Sequence, residues 1–213
     1  MDTKRVIKYI RRKRPKEISV FMELLESRIN MEGVVGEGDI LKVGSFLNQQ
    51  MDVPFVDKLA DEIHALFAGC DVNKILTIEA SGICIAVLVA QKFNCPAVFA
   101  KKHATSNIAG NCYTTHVHSY THNCDNTVIV PKDYLGTSDR ILIVDDFLAT
   151  GEALEALIRI VEQSGATLVG CASLIEKVYQ EGGNKIRQRG IRVESLAKIT
   201  NLYGKNGIEF ENQ

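Results

Sequence analysis

No two of the six cysteines (Cys70, Cys84, Cys95, Cys112, Cys124, Cys171) are spaced C-x-x-C, no apolar run is longer than a strand, and the formal charge is only −1. Each absence removes a class of protein. Thiols without a paired motif, several of them inside apolar runs, behave as small hydrophobes of a reducing, cytoplasmic setting. Runs of strand length exclude a helix that spans a bilayer, so no membrane partner is expected. Near neutrality over 213 residues, with 46% hydrophobic content, describes an ordinary soluble domain large enough to bury a sizeable core. No repeat or linker divides it.

What charge there is lies unevenly. Residues 1–21 hold eight basic side chains (Lys4, Arg5, Lys8, Arg11, Arg12, Lys13, Arg14, Lys16) against Asp2 and Glu17, a net of +6, which leaves −7 for the remainder. This arm lacks the apolar stretch of a secretory signal. It is expected to be a disordered or non-native extension outside a single domain of residues 22–213, with Met22 as an alternative start. A nucleic-acid arm is the competing reading of such a charge run.

Past the arm, apolar periodicity alternates between helix and strand. "MELLESRI" places Leu24, Leu25, Arg28 and Ile29 at helical spacing, and "VPFVDKLADEIHALFAG" aligns Phe55, Val56, Leu59, Ile63, Leu66 and Phe67 between Pro54 and Gly69. There follow a strand "KILTIEA", a helix over 83–93, a strand "AVFAKK", a polar segment over 103–126, strands "TVIV" and "RILIVDD", a helix over 151–163, and strands "TLVGCASLIEK" and "IRVESLAKI". Strands apolar on both faces and alternating with helices predict an α/β fold, a doubly wound and mainly parallel sheet flanked by helices. Residues 103–126 are long for a connector and are expected to form a lid.

Ligands of such a sheet sit at the carboxyl ends of its strands. There "RILIVDD" closes on Asp145 and Asp146, neighbouring carboxylates that repel each other unless hydroxyls or a cation occupy them. Ala149, Thr150, Gly151, Glu152 and Ala153 then turn into a helix whose free N–H groups and dipole favour an anion. Glu79, Ala80, Ser81 and Gly82 form a second strand-to-helix turn, and Lys101 and Lys102 end a third strand. Two anion turns flanking an acid pair describe a ligand with phosphate at one end, a more highly charged phosphate group at the other and a vicinal diol between. Phosphoribosyl pyrophosphate (PRPP) has that shape.

"ILIVDDFLATGEAL" resembles the PRPP motif of the type I purine phosphoribosyltransferases, and the resemblance extends through "EGVVGEGDILKVGSFLNQQMD", "KILTIEASGI", "VFAKKH", "LIEK" and "RVESLAKI" over nearly everything after residue 21. It implies a small base-binding hood beside the sheet, a cytoplasmic homodimer, and transfer of ribose 5-phosphate to a purine, xanthine foremost, with Mg²⁺ held mainly by the pyrophosphate and no metal site made by the protein. Asp145 and Asp146 would take the ribose hydroxyls, directly or through Mg²⁺-bound water. Ala149, Thr150, Gly151, Glu152 and Ala153 would cradle the 5′-phosphate, and Glu79, Ala80, Ser81 and Gly82 with Lys101 and Lys102 the pyrophosphate; Asp145, Asp146 and Lys101 carry the chemistry. Leu41 and Asn48 would line the purine site and Lys177 would bind the 6-oxo edge. An ammonium donates only, so it suits a carbonyl and not the amine of adenine. The pattern departs from the hypoxanthine-guanine branch at Ala149, where those enzymes carry an acid proposed as general base.

Bland readings stand beside these. Leu41 is of a type as often core as contact, Lys101 and Lys102 would serve equally as a solvated strand end, and His116, His118 and His122 read as lid residues rather than a metal site, lacking a completing carboxylate or cysteine. Two alternatives remain: a transferase preferring guanine, hypoxanthine or adenine, and a purine repressor that senses PRPP on this fold. Against the repressor and any nucleic-acid partner, the arm is too short for a winged-helix domain and Pro15 interrupts it.

Overall fold

The structure, a computed structural model, describes residues 16–102, 111–119, 124–205 and 207–211. Its core is one six-stranded sheet in the order β10-β9-β8-β7-β3-β4. The strands are β3 (Lys74–Ile78), β4 (Ala97–Ala100), β7 (Arg140–Leu148), β8 (Thr167–Lys177), β9 (Val193–Gly204) and β10 (Gly207–Phe210). All neighbours run parallel except β10, antiparallel to β9. Ile141, Leu142, Ile143 and Val144 of β7 are fully buried, as a central parallel strand requires with both faces covered. Helices α2 (Val53–Leu66) and α3 (Gly82–Phe93) cover one face, where Leu59, Ile63, Ile85 and Val89 pack on Ile75, Leu142 and Val144. Helix α4 (Glu152–Ser164) covers the other, setting Leu154, Leu157 and Val161 against Leu76, Ile141 and Ile143. The expected doubly wound α/β sheet is thus present.

After β3 the chain moves one way across the sheet to β4, and after β7 it moves the other way to β8 and β9. The crevice opens where the strand order reverses, between the carboxyl ends of β3 and β7. Over it stands a small hood. The hairpin of β1 (Val34–Gly36) and β2 (Ile40–Lys42), a π-helical turn at Gly44–Asn48, and α1 (Lys16–Glu32) form it together with the C-terminal strands. The Asn30 carboxamide accepts the backbone N–H of Ile208 at 2.9 Å, and the Tyr203 hydroxyl donates to the Gly36 carbonyl at 3.4 Å. Arg28 bonds Asp52 at 2.6 Å and lies over the rings of Phe46 and Phe55, pinning α1 to the base of the hood.

Four sequence expectations shift. Helix α1 begins at Lys16, so the boundary drawn before Met22 falls inside a helix whose Met22, Leu25 and Ile29 are buried. Strand β7 does not end at the aspartates but continues to Leu148, because Phe147 and Leu148 keep pairing with Ile175 and Glu176 of β8. The "AVFAKK" strand stops at Ala100, with Lys101 held only by a bridge to Ile129. Part of the expected lid is instead a hairpin, β5 (Cys112–Ser119) against β6 (Cys124–Pro131). Residues 103–110 and 120–123, including His122, lie outside the described residues, as does the His118 side chain. The His116 ring is exposed, beside the Thr127 hydroxyl at 3.4 Å.

Candidate active site

The β7 carboxylates sit at the centre of the crevice. Asp145 and Asp146 are only 5% and 7% exposed. The backbone N–H of Asp146 donates to Asp145 Oδ1 at 3.0 Å. Burial first, and then the neighbouring charge of Asp146, push the Asp145 carboxyl well above the ordinary carboxylate range, with the Lys102 ammonium pulling the other way. A buried acid with a second acid beside it is a site prepared for hydroxyl or cation partners.

Elements predicted separately meet at Asp146. The Ser81 hydroxyl, from the turn after β3, donates to Asp146 Oδ1 at 2.9 Å, and the Asn48 amide, from the hood, donates to Oδ2 at 3.3 Å. Glu79 accepts the backbone N–H of Lys102 at 2.7 Å, which joins the same turn to the end of β4, and the Glu79–Ala80 peptide is cis. Lys101 is fixed by its backbone, exchanging hydrogen bonds with Ile129 at 3.0 and 2.9 Å. The turn after β3 and a hood residue therefore meet at Asp146, and Glu79 ties the same turn to the end of β4.

Below the acids, the residues from Phe147 to Leu154 wall a concavity of about 110 Å³. Its floor is the Ala149, Thr150, Gly151, Glu152 and Ala153 turn, and no side chain caps the start of α4, leaving backbone N–H groups for an anion. The turn is braced by residues the sequence did not flag. The N–H of Gly182, first residue of α5 (Gly182–Gln188), donates to the Ala149 carbonyl at 3.2 Å. A Cβ on Gly182 would stand 2.3 Å from that oxygen and 2.4 Å from the Gly151 nitrogen, so only glycine fits. Arg187 of α5 grips the fully buried Glu176 of β8 with two bonds of 2.7 Å, and Ser195 adds a third at 2.6 Å. Burial pushes the Glu176 carboxyl up, but these bonds outweigh it and hold it below the ordinary range.

Lys177 follows Glu176 at the end of β8. Its ammonium donates to the Asp39 carbonyl in the hood turn at 2.6 Å and lies 6.0 Å from the Phe147 ring. Burial lowers its pKa, against the pull of the Asp39 charge. Lys177, Phe147 and Asn48 thus flank one side of the acids, with Phe147 supplying an aromatic face absent from the sequence reading although it stood inside the motif. Leu41 takes the core option, 6% exposed among the packed hydrophobics with Ile29 and Val43. Among the described residues no group of three His, Cys, Asp or Glu side chains is placed to hold a metal, and no helix is long and apolar enough to cross a membrane.

Residues 45–187 match the phosphoribosyl transferase domain family. The chain is 49% identical over 186 residues to a xanthine phosphoribosyltransferase of Lachnoclostridium phytofermentans, covering 87% of this chain and 96% of that protein. It is 47% identical over 191 residues to one of Moorella thermoacetica, covering 90% and 97%. Among solved structures, an adenine phosphoribosyltransferase from Giardia lamblia complexed with 9-deazaadenine superposes with a TM-score of 0.68 at 21% identity, over 82% of this chain and 97% of that one. At that identity the likeness establishes the fold.

Proposed function

The chain belongs to the phosphoribosyl transferase domain family, and on that premise we propose that it transfers the phosphoribosyl group of PRPP to xanthine, giving xanthosine monophosphate and pyrophosphate in purine salvage. The observation that carries the reading is the placing of an acid pair, an anion cradle and a donor-only lysine on the adjacent strands β7 and β8, in a chain close to half identical to xanthine transferases along most of its length. The alternative of a PRPP-sensing repressor has no observation in its favour.

In this reading the ribose hydroxyls are taken by Asp145 and Asp146, and the ligand exchanges with the Ser81 and Asn48 bonds that now satisfy Asp146. The 5′-phosphate rests on the Ala149 to Ala153 backbone. Pyrophosphate lies against Glu79, Ala80, Ser81 and Gly82, with Lys101 and Lys102 at its edge. The purine stacks on Phe147 with Lys177 at its 6-oxo group and Asn48 nearby, and Leu41 braces the hood from within the core. As the glycosidic bond to pyrophosphate breaks, positive charge grows on the sugar and negative charge on the leaving group, so fixed cations and N–H dipoles lower the barrier. Mg²⁺ would be held mainly by the pyrophosphate oxygens, with Asp145 and Asp146, a pair of hard oxygen donors, reaching it through bound water. Bound there, Mg²⁺ would supply charge neutralisation on the pyrophosphate. The same reading extends to a cytoplasmic homodimer, which sedimentation velocity tests.

The direct experiment is to incubate the protein with PRPP, Mg²⁺ and xanthine and to measure nucleotide and pyrophosphate together. Equal amounts of both are expected; pyrophosphate release without nucleotide, or no turnover, would remove the proposal. A second expectation concerns the brace. Gly182→Ala, whose methyl meets main-chain atoms at 2.3 and 2.4 Å, should displace the phosphate turn and destabilise the fold by about 1–3 kcal/mol. Steady-state kinetics should then show the KM for PRPP raised by roughly tenfold to a hundredfold, with xanthine KM changed far less.

A further inference from the structure

One hydroxyl beside the site has no partner. Thr77, on β3 just before the first anion turn, is 1% exposed, and its Oγ1 makes no hydrogen bond to any described group. A buried hydroxyl without an acceptor is destabilising relative to a methyl group of the same shape. Its surroundings give it a use. The point where a Cβ on Gly82 would stand is 2.3 Å from Thr77 Oγ1 and 2.6 Å from Asp145 Oδ1. Thr77 Oγ1 and Asp145 Oδ1 therefore border the same point over the Gly82 Cα, where any side chain at residue 82 would collide with both. Asp145 Oδ1 accepts one bond, from the Asp146 N–H, and a carboxylate oxygen has room for a second.

We propose that Thr77 is a positioning residue that acts through Asp145: its hydroxyl closes onto the Asp145 carboxylate when the ribose diol binds, fixing that carboxylate as an acceptor for the sugar. The proposal rests on the assignment of the acid pair to the ribose of PRPP. Once the diol engages both acids, a donor from behind holds Asp145 in the orientation the hydroxyls require. Gly82 then serves two ends, since any larger residue would push both oxygens apart as well as crowd the turn after β3.

The test uses Thr77→Val, which keeps the branched shape and deletes only the hydroxyl, and Thr77→Ser, which keeps the hydroxyl. Titration calorimetry with PRPP and Mg²⁺, in the absence of any purine, reads the affinity, and thermal unfolding of the free protein reads the fold. For Thr77→Val we expect affinity for PRPP lower by about tenfold, the loss typical of one hydrogen bond to a charged group. Its unfolding temperature should be unchanged or higher. Thr77→Ser should bind like the wild type. A wild type that fails to bind PRPP would overturn the functional reading itself. Wild-type binding matched by Thr77→Val would overturn only this inference, as would a Thr77→Val protein that both unfolds earlier and binds normally once folded.

Discussion

Lys177→Ala is expected to lower kcat/KM for xanthine by roughly tenfold to a hundredfold or more, the worth of a hydrogen bond from a charged donor, while the KM for PRPP stays nearly where it was. The contacts proposed for PRPP lie on other segments, at the ends of β3, β4 and β7, whereas Lys177 ends β8 beside Phe147. The lysine also holds the hood, through its 2.6 Å bond to the Asp39 carbonyl. Loss of that tether would loosen the base site for every purine alike, and loss of the 6-oxo contact would fall on the 6-oxopurines alone. Comparing xanthine with adenine on the same variant separates the two. An equal decline for both bases would reduce Lys177 to a hood fastener.

The acid pair gives the second large effect, and one of opposite sign for activity and stability. Asp145→Asn and Asp146→Asn should each cost about a hundredfold or more in kcat/KM for PRPP, since each removes a charged acceptor from the ribose. Neither should unfold the protein. Burial and the neighbouring charge raise the Asp145 pKa, so its neutral form is the one the fold prefers. The stabilisation linked to that proton is present at acid pH and is lost as pH rises through the raised value. At neutral pH the acid therefore costs stability, and the uncharged asparagine removes the cost. Thermal unfolding of Asp145→Asn at pH 7.5 should come at least about 2 °C above the wild type, with the gap closing toward pH 4. A variant that is inactive and also less stable at pH 7.5 would assign the pair to the fold instead of the site.

The parts of this molecule legible in its sequence are those decided by local pattern. Continuous branched runs gave β7 and β8, because a strand buried on both faces has no polar positions to confuse it. Helix α2 announced itself by its apolar stripe between Pro54 and Gly69, and the structure adds a cap from Asp52, which accepts the Phe55 N–H at 3.2 Å. The acid pair and the turn that follows it stand out in the sequence because they are compressed into one segment. What escaped was set by partners distant in sequence. Strand β5 looks like a loop because few of its side chains are apolar; Thr115 is buried, while Thr114 and His116 face solvent. Gly182 matters only because α5 returns to the Ala149 turn, and the Glu176–Arg187 pair joins a strand to a helix. The contrast in charge misplaced the start of α1, which lies at Lys16, inside the basic run.

Specificity for the base is the central claim, and one competition assay bears on it most directly. Xanthine, guanine, hypoxanthine and adenine, equimolar in a single reaction with limiting PRPP and Mg²⁺, should yield xanthosine monophosphate as the main nucleotide, the other 6-oxopurine products behind it, and essentially no adenosine monophosphate. A mixture dominated by adenosine monophosphate, or by no nucleotide at all, would contradict the account.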